Sequence, residues 1–108
     1  MVLKQEETII KTSELITQLY EEVSIKNRKS LKMFEVVAVQ QIISELPENV
    51  KRILTVEDII QAVQVITRLY RRRREFGTVF KEMNYSEFVN SSYDAVLTTY
   101  INNKLSIN

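Results

Sequence analysis

Glycine and proline, the residues that most often mark turns, occur once each in this chain of 108 residues, as Gly77 and Pro47. A β-rich protein turns about every ten residues, and its turns draw heavily on these two residue types. Long stretches that lack both residues instead favour long helices. The chain is 44% hydrophobic and 27% charged, which is enough apolar material for one core. We therefore expect an all-α fold.

The spacing of apolar residues predicts a bundle of four long helices joined by short connectors. The helices are expected at about residues 5–25, 31–46, 55–75 and 86–104. The length of the chain predicts a single helical domain that spans residues 1–108.

The second predicted helix is apolar on more than one side, which suggests burial on two sides, either in the centre of the bundle or in an interface. Its two apolar stripes consist of Leu31, Phe34, Val37, Ala38 and Ile42, and of Val36, Val39, Ile43 and Leu46. Thr55 is expected to cap the third helix, and Asn84 with Glu87 forms a predicted capping box for the fourth.

Arginine is concentrated at the predicted end of the third helix. The five residues are Arg68, Arg71, Arg72, Arg73 and Arg74. Consecutive residues on a helix are about 100° apart, so they cannot all contact one surface. Arg71 is placed to pair with Glu75, four residues further on. The cluster has three open interpretations: a solvated helix end that complements the macrodipole, contact with an acidic protein, or contact with nucleic acid phosphates.

The chain offers little material for catalysis. It has no cysteine and no histidine, and its paired acidic residues are adjacent, so on a helix they diverge by about 100°. We expect no enzyme activity, no catalytic residue, no cofactor and no metal site. The net charge of +1 also counts against a dedicated nucleic-acid-binding protein. No apolar window is long enough to span a membrane and no signal peptide is evident, so an intracellular protein is expected.

Tyrosine and arginine together have the composition of binding hot spots, although tyrosines at helix faces also fit the edge of a core. The candidate partner-binding residues are Arg68, Arg71, Arg72, Arg73, Arg74, Phe76, Tyr70, Tyr93 and Tyr100.

Two segments resemble the helical domain of GINS subunits, the replisome factor that joins the MCM helicase in archaea and eukaryotes. These are TVEDIIQAVQVITRLYRRRREFGTVF and YSEFVNSSYDAVLTTYI. The subunit type that they most resemble is the one called the first Psf protein, and ELITQLYEEV is similar to that family's first helix. The residues that carry the resemblance are Arg68, Arg71, Arg72, Glu75, Phe76, Gly77, Phe88, Tyr93 and Tyr100. Family members usually carry a second, small β-rich domain, for which this chain has no room.

The resemblance implies a non-enzymatic scaffold subunit of a DNA replication assembly. Such a subunit acts through helix–helix contacts with sister subunits and the replicative helicase, in a homo- or hetero-oligomer. It would be cytoplasmic in an archaeon and nuclear in a eukaryote. The residues themselves leave two alternatives: a small nucleic-acid-binding protein that uses Arg71–Arg74 with weak affinity, or a helical adaptor or inhibitor of an acidic protein.

Overall fold

The all-α prediction is confirmed. The computed structural model describes residues 14–23 and 31–106, of which 85% are helical and none forms a strand. In chain order the α-helices are α1 at residues 14–23, α2 (Met33–Glu45), α3 (Glu48–Lys51), α4 (Val56–Arg71), α5 (Thr78–Lys81) and α6 (Tyr85–Ser106). Four of them are long, as expected; the predicted helical residues before 14 and after 23 lie outside the described residues.

The predicted cap at Thr55 and the predicted capping box at Asn84 both form, and the cap at Thr55 is itself a capping box with Asp58. The Thr55 hydroxyl accepts a hydrogen bond from the Asp58 N–H at 3.1 Å, and the Asp58 carboxylate accepts one from the Thr55 N–H at 2.9 Å. At the start of α6, the Asn84 side chain accepts from the Glu87 N–H at 2.9 Å, and the Glu87 carboxylate accepts from the Asn84 N–H at 3.0 Å. These bonds satisfy N–H groups that would otherwise lack a partner in the first turn.

The α-helix that carries the arginines ends earlier than predicted, at Arg71 instead of near residue 75. Arg72 adopts φ −107° and ψ 15°, and its N–H bonds to the Leu69 carbonyl at 2.9 Å, a three-residue spacing. The chain therefore tightens into a 3₁₀ turn over Arg73–Phe76. Gly77 follows at φ 118° and ψ 168°, a conformation that side chains disfavour, and lets the chain reverse into α5.

α4, and not α2, lies at the centre of the bundle, where it packs against both α2 and α6. Its side chains from Ala62 to Ile66 include the most deeply buried of the chain, with Ala62, Val63, Val65 and Ile66 fully buried. α1 contributes Ile16 to the same core. α2 buries Ala38, Val39 and Ile42 on one side only, so its buried side combines residues of both predicted stripes. Phe34 and Val37 of the first stripe remain open to solvent.

Candidate partner-binding surfaces

Three of the five arginines are engaged within the chain. The Arg68 guanidinium lies 3.3 Å from the Glu22 carboxylate of α1. Arg72 grips Glu75 with two hydrogen bonds of 2.9 and 3.0 Å, and this pairing lowers the pKa of the Glu75 carboxyl. The expected pair between Arg71 and Glu75 is therefore wrong, because the 3₁₀ turn brings the residue at three-residue spacing onto Glu75.

Arg73 connects the end of α4 to α5 through its guanidinium group. Its guanidinium carbon lies 4.1 Å from the centre of the Tyr70 ring, in cation–π geometry. One guanidinium nitrogen donates to the Tyr70 carbonyl at 3.0 Å and another to the Lys81 carbonyl at 3.3 Å. These bonds satisfy carbonyl groups at the ends of two helices, so Arg73 has a structural role.

Within the cluster of five, Arg71 and Arg74 are exposed and make no ion pair to another described residue. Two cations offer a much smaller electrostatic footprint than five. The geometry therefore weakens the interpretation of the arginine cluster as a nucleic acid site, because each phosphate contact adds only a limited, salt-sensitive term to the affinity.

Tyr70 lies inside a chain of aromatic rings that crosses the bundle. Ring centres are 4.7 Å apart for Phe34 and Tyr85, 5.3 Å for Tyr85 and Tyr70, 5.6 Å for Tyr70 and Phe88, and 6.0 Å for Phe88 and Phe80. All four contacts are edge-to-face, the geometry that the ring quadrupole favours. The series leads from the surface of α2 to α5, and it assigns Tyr70 to packing.

The remaining predicted tyrosines also serve the core edge. The Tyr100 hydroxyl donates to the Asp58 carboxylate at 2.7 Å, and its ring centre lies 4.6 Å from that of Tyr20. Burial, supported by the Asp58 contact, raises the pKa of Tyr100 to about 12. Tyr93 is half-buried and packs against the core. Binding of a partner by these residues stays a prediction.

A buried polar cluster joins three helices, and sequence reasoning missed it. The Thr67 hydroxyl donates to the buried Glu35 carboxylate at 2.9 Å and lies 2.8 Å from the Tyr85 hydroxyl. The other Glu35 oxygen accepts from the Lys32 N–H at 3.1 Å. The available signal was Glu35 itself, a single charge inside an apolar run. These bonds fix the rotation of α2 about its axis, and so decide which side of the helix faces solvent.

The open side of α2 forms the most apolar exposed helix face of the described residues, here called the α2 face. It consists of Met33, Phe34 and Val37, which are 78%, 42% and 53% exposed. A groove of about 260 Å³ runs beside it towards α6, lined by Phe34, Val37, Ala38, Gln41, Tyr85, Ser86 and Val89. Gln41 donates to Asn90 across the two helices. This groove has the form in which a helix or an apolar side chain can dock.

A second pocket, of about 270 Å³, lies under the 3₁₀ turn and α5. Three phenylalanine rings, Phe76, Phe80 and Phe88, line it together with aliphatic side chains that include Leu69 and Val96. The predicted site residue Phe76 thus faces an apolar pocket next to the arginines.

No group of acidic side chains in the described part of the chain could hold a metal ion. Among the helices described, none combines the length and apolar character that a membrane span requires. Comparison of the chain with models of known families, with curated proteins and with solved structures finds no match.

Proposed function

We propose that this protein is a non-enzymatic scaffold subunit that binds partner subunits through the α2 face. The observation that carries this proposal is the exposure of Met33, Phe34 and Val37 on a regular helix beside a preformed groove. Soluble proteins tend to keep such apolar clusters small unless they serve contact with another molecule. Because Glu35 is bonded to α4, the face is held in a fixed orientation before any partner arrives.

The assembly that we propose is a DNA replication complex of the GINS type, with sister subunits and the replicative helicase as partners. Support comes from the order of segments: a long helix, a run of arginines, Glu75-Phe76-Gly77, and a tyrosine-bearing helix. Arg71 and Arg74, which are exposed and lack an ion pair within the described residues, can add contacts to an acidic partner.

Affinity capture tests this function. The tagged full chain is incubated with extract of its native host, and replication proteins in the bound fraction are quantified by mass spectrometry. We expect helicase or sister-subunit proteins to bind the wild type and to be lost with Val37→Glu, since a charge on the α2 face would have to be desolvated. Val79→Glu is the matched control, because Val79 is 69% exposed on α5, away from α2.

Capture of no replication protein, or equal capture by Val37→Glu and the wild type, contradicts the proposal. The nucleic acid alternative is tested on the same preparation with Arg71→Gln/Arg74→Gln. A mobility shift in low salt that this double variant abolishes, without any protein partner, would favour nucleic acid binding instead.

A further inference from the structure

Between its two ends, the outer side of α2 carries no charged residue. The single charged residue between Lys32 and Glu45 is Glu35, which is 8% exposed and bonded to Thr67. The solvent-facing positions are instead Met33, Phe34, Val37, Gln40 and Ser44. A low frequency of charged residues, more than hydrophobicity as such, distinguishes the centre of an interface from ordinary protein surface.

The two exposed charges at the ends of α2 are placed against its macrodipole, whereas the buried Glu35 in its first turn complements it. Lys32 stands at the N-cap and Glu45 is the last residue, whereas a helix favours acids at its first turn and bases at its last. Both side chains are exposed, and neither makes an ion pair with another described residue. In an antiparallel pair, Lys32 of one helix would lie beside the negative C-terminal end of the other helix, and Glu45 beside its positive N-terminal end. Both charges would then be favourable.

We propose that two copies of this chain pair through α2, antiparallel and about a two-fold axis. This inference rests on the proposed function, since it names the partner that the α2 face binds. Centring the axis between Ala38 and Val39 places Lys32 of one copy opposite Glu45 of the other. The same register sets Met33 against Ser44 and Val37 against Gln40. These four seam positions alternate by four and three residues, as in a coiled coil.

A second copy fits this face better than an unrelated helix because a two-fold contact must be self-complementary. The exposed side of α2 meets that condition: its centre is neutral, and the charges at its two ends, Lys32 and Glu45, are of opposite sign. The net charge of +1 adds no appreciable repulsion between copies. A 13-residue helix is about 20 Å long, so the contact belongs to the small interfaces that associate weakly and reversibly.

Sedimentation of the full chain over a range of concentrations tests the pairing. The wild type is expected to pass reversibly from monomer to dimer as its concentration rises. Val37→Glu places two charges near the centre of the contact and is expected to remain monomeric, whereas Val79→Glu is expected to dimerise like the wild type. Both valines are largely exposed, so both variants should keep the wild-type helical circular dichroism. A wild type that is monomeric at every concentration overturns the inference.

Charge reversal tests the direction of the helices. Lys32→Glu and Glu45→Lys each complement the macrodipole of α2 better than the natural residue does. Loss of dimer in either variant therefore cannot arise from a weaker helix. We expect each single change to raise the dissociation constant about fivefold to tenfold, and the double change in one chain to restore it. Failure of the double variant to recover excludes the proposed register.

Cysteine cross-linking tests the register directly, because the natural chain has no cysteine. A tagged Met33→Cys chain is mixed with an untagged Ser44→Cys chain and oxidised. The mixed disulfide should dominate, since in this register two copies of residue 33 lie about 16 Å apart along the helices. Disulfides between two Met33→Cys chains would indicate a parallel pair and overturn the proposal.

The two proposals can fail separately. A chain that stays monomeric, but loses its replication partners in Val37→Glu, keeps the scaffold function and refutes the homodimer. A chain that dimerises through α2, but captures no replication protein, keeps the homodimer and refutes the replication scaffold.

Discussion

Thr67 joins two helices to α4 through one hydroxyl group. Its oxygen lies 2.9 Å from the Glu35 carboxylate of α2 and 3.0 Å from the Val63 carbonyl, to either of which it can donate. It also lies 2.8 Å from the Tyr85 hydroxyl of α6, from which it can accept. A buried carboxylate is costly unless its oxygens are hydrogen-bonded. We therefore expect loss of the Thr67 hydroxyl group to lower the free energy of unfolding.

Thr67→Val tests this role, because valine keeps the shape of threonine and removes the hydroxyl. We expect the free energy of unfolding in urea to fall by about 1–3 kcal/mol, the cost of leaving a buried polar partner unsatisfied. Thr98→Val is the matched control, since Thr98 is exposed on α6. Thr67→Ser should recover most of the loss. Equal stability of the two valine variants would show that Glu35 finds other partners.

The five arginines show how much of the site could be predicted. Their number and their place at a helix end are visible in the sequence. Which of them is engaged depends on the turn after Arg71, where a three-residue spacing joins Arg72 to Glu75 and turns Arg73 onto Tyr70. Arg68 is paired with Glu22, 46 residues away. Neither the turn geometry nor such a distant contact follows from local pattern.

At the scale of elements, the starts of helices were predicted better than the end of α4. Caps such as Thr55 and Asn84 act through hydrogen bonds within three residues, so sequence specifies them. The end of α4 was predicted too late, because arginine is a good helix former and gives no local stop signal. The chain instead leaves the α-helix at Arg72 and completes the reversal at Gly77.

Gly77→Ala is expected to destabilise the protein even though no atom beyond its two chain neighbours lies within 4 Å of the added methyl group. The reason is the backbone: φ 118° with ψ 168° is a region occupied almost only by glycine. We expect a loss of about 1–3 kcal/mol in the free energy of unfolding, measured by thermal denaturation. Thr78→Ala, at the exposed next position, should change little. A Gly77→Ala variant as stable as that control would indicate a different backbone at this turn.

At the scale of the whole molecule, the bundle buries tyrosines from several helices. Burial raises the pKa of Tyr85 and of Tyr100 to about 12, and burial also raises the pKa of Tyr20. Each of these phenols therefore loses its proton at a higher pH in the folded protein than in the unfolded chain. The contribution to stability is complete below the unfolded pKa of about 10 and is lost as the pH rises through the folded value.

We accordingly expect the free energy of unfolding in urea to fall between about pH 10 and pH 12. Tyr85→Phe removes one of the responsible groups, so its stability should decline less steeply over this interval. The slopes are compared, and not the absolute values, because this variant also loses the contact with Thr67. Identical slopes would mean that Tyr85 ionises as easily in the fold as outside it.

Sequence alone determined the all-α class, the four long helices and the N-terminal caps of α4 and α6. These features depend on apolar spacing and on bonds between residues three or four positions apart, which a sequence displays directly. Only the tertiary structure decided that α4 is central, that Arg71 and Arg74 of the arginine cluster lack ion-pair partners among the described residues, and which side of α2 is exposed. Those outcomes depend on contacts such as Glu35 with Thr67, 32 residues apart, whose pairing no local pattern specifies.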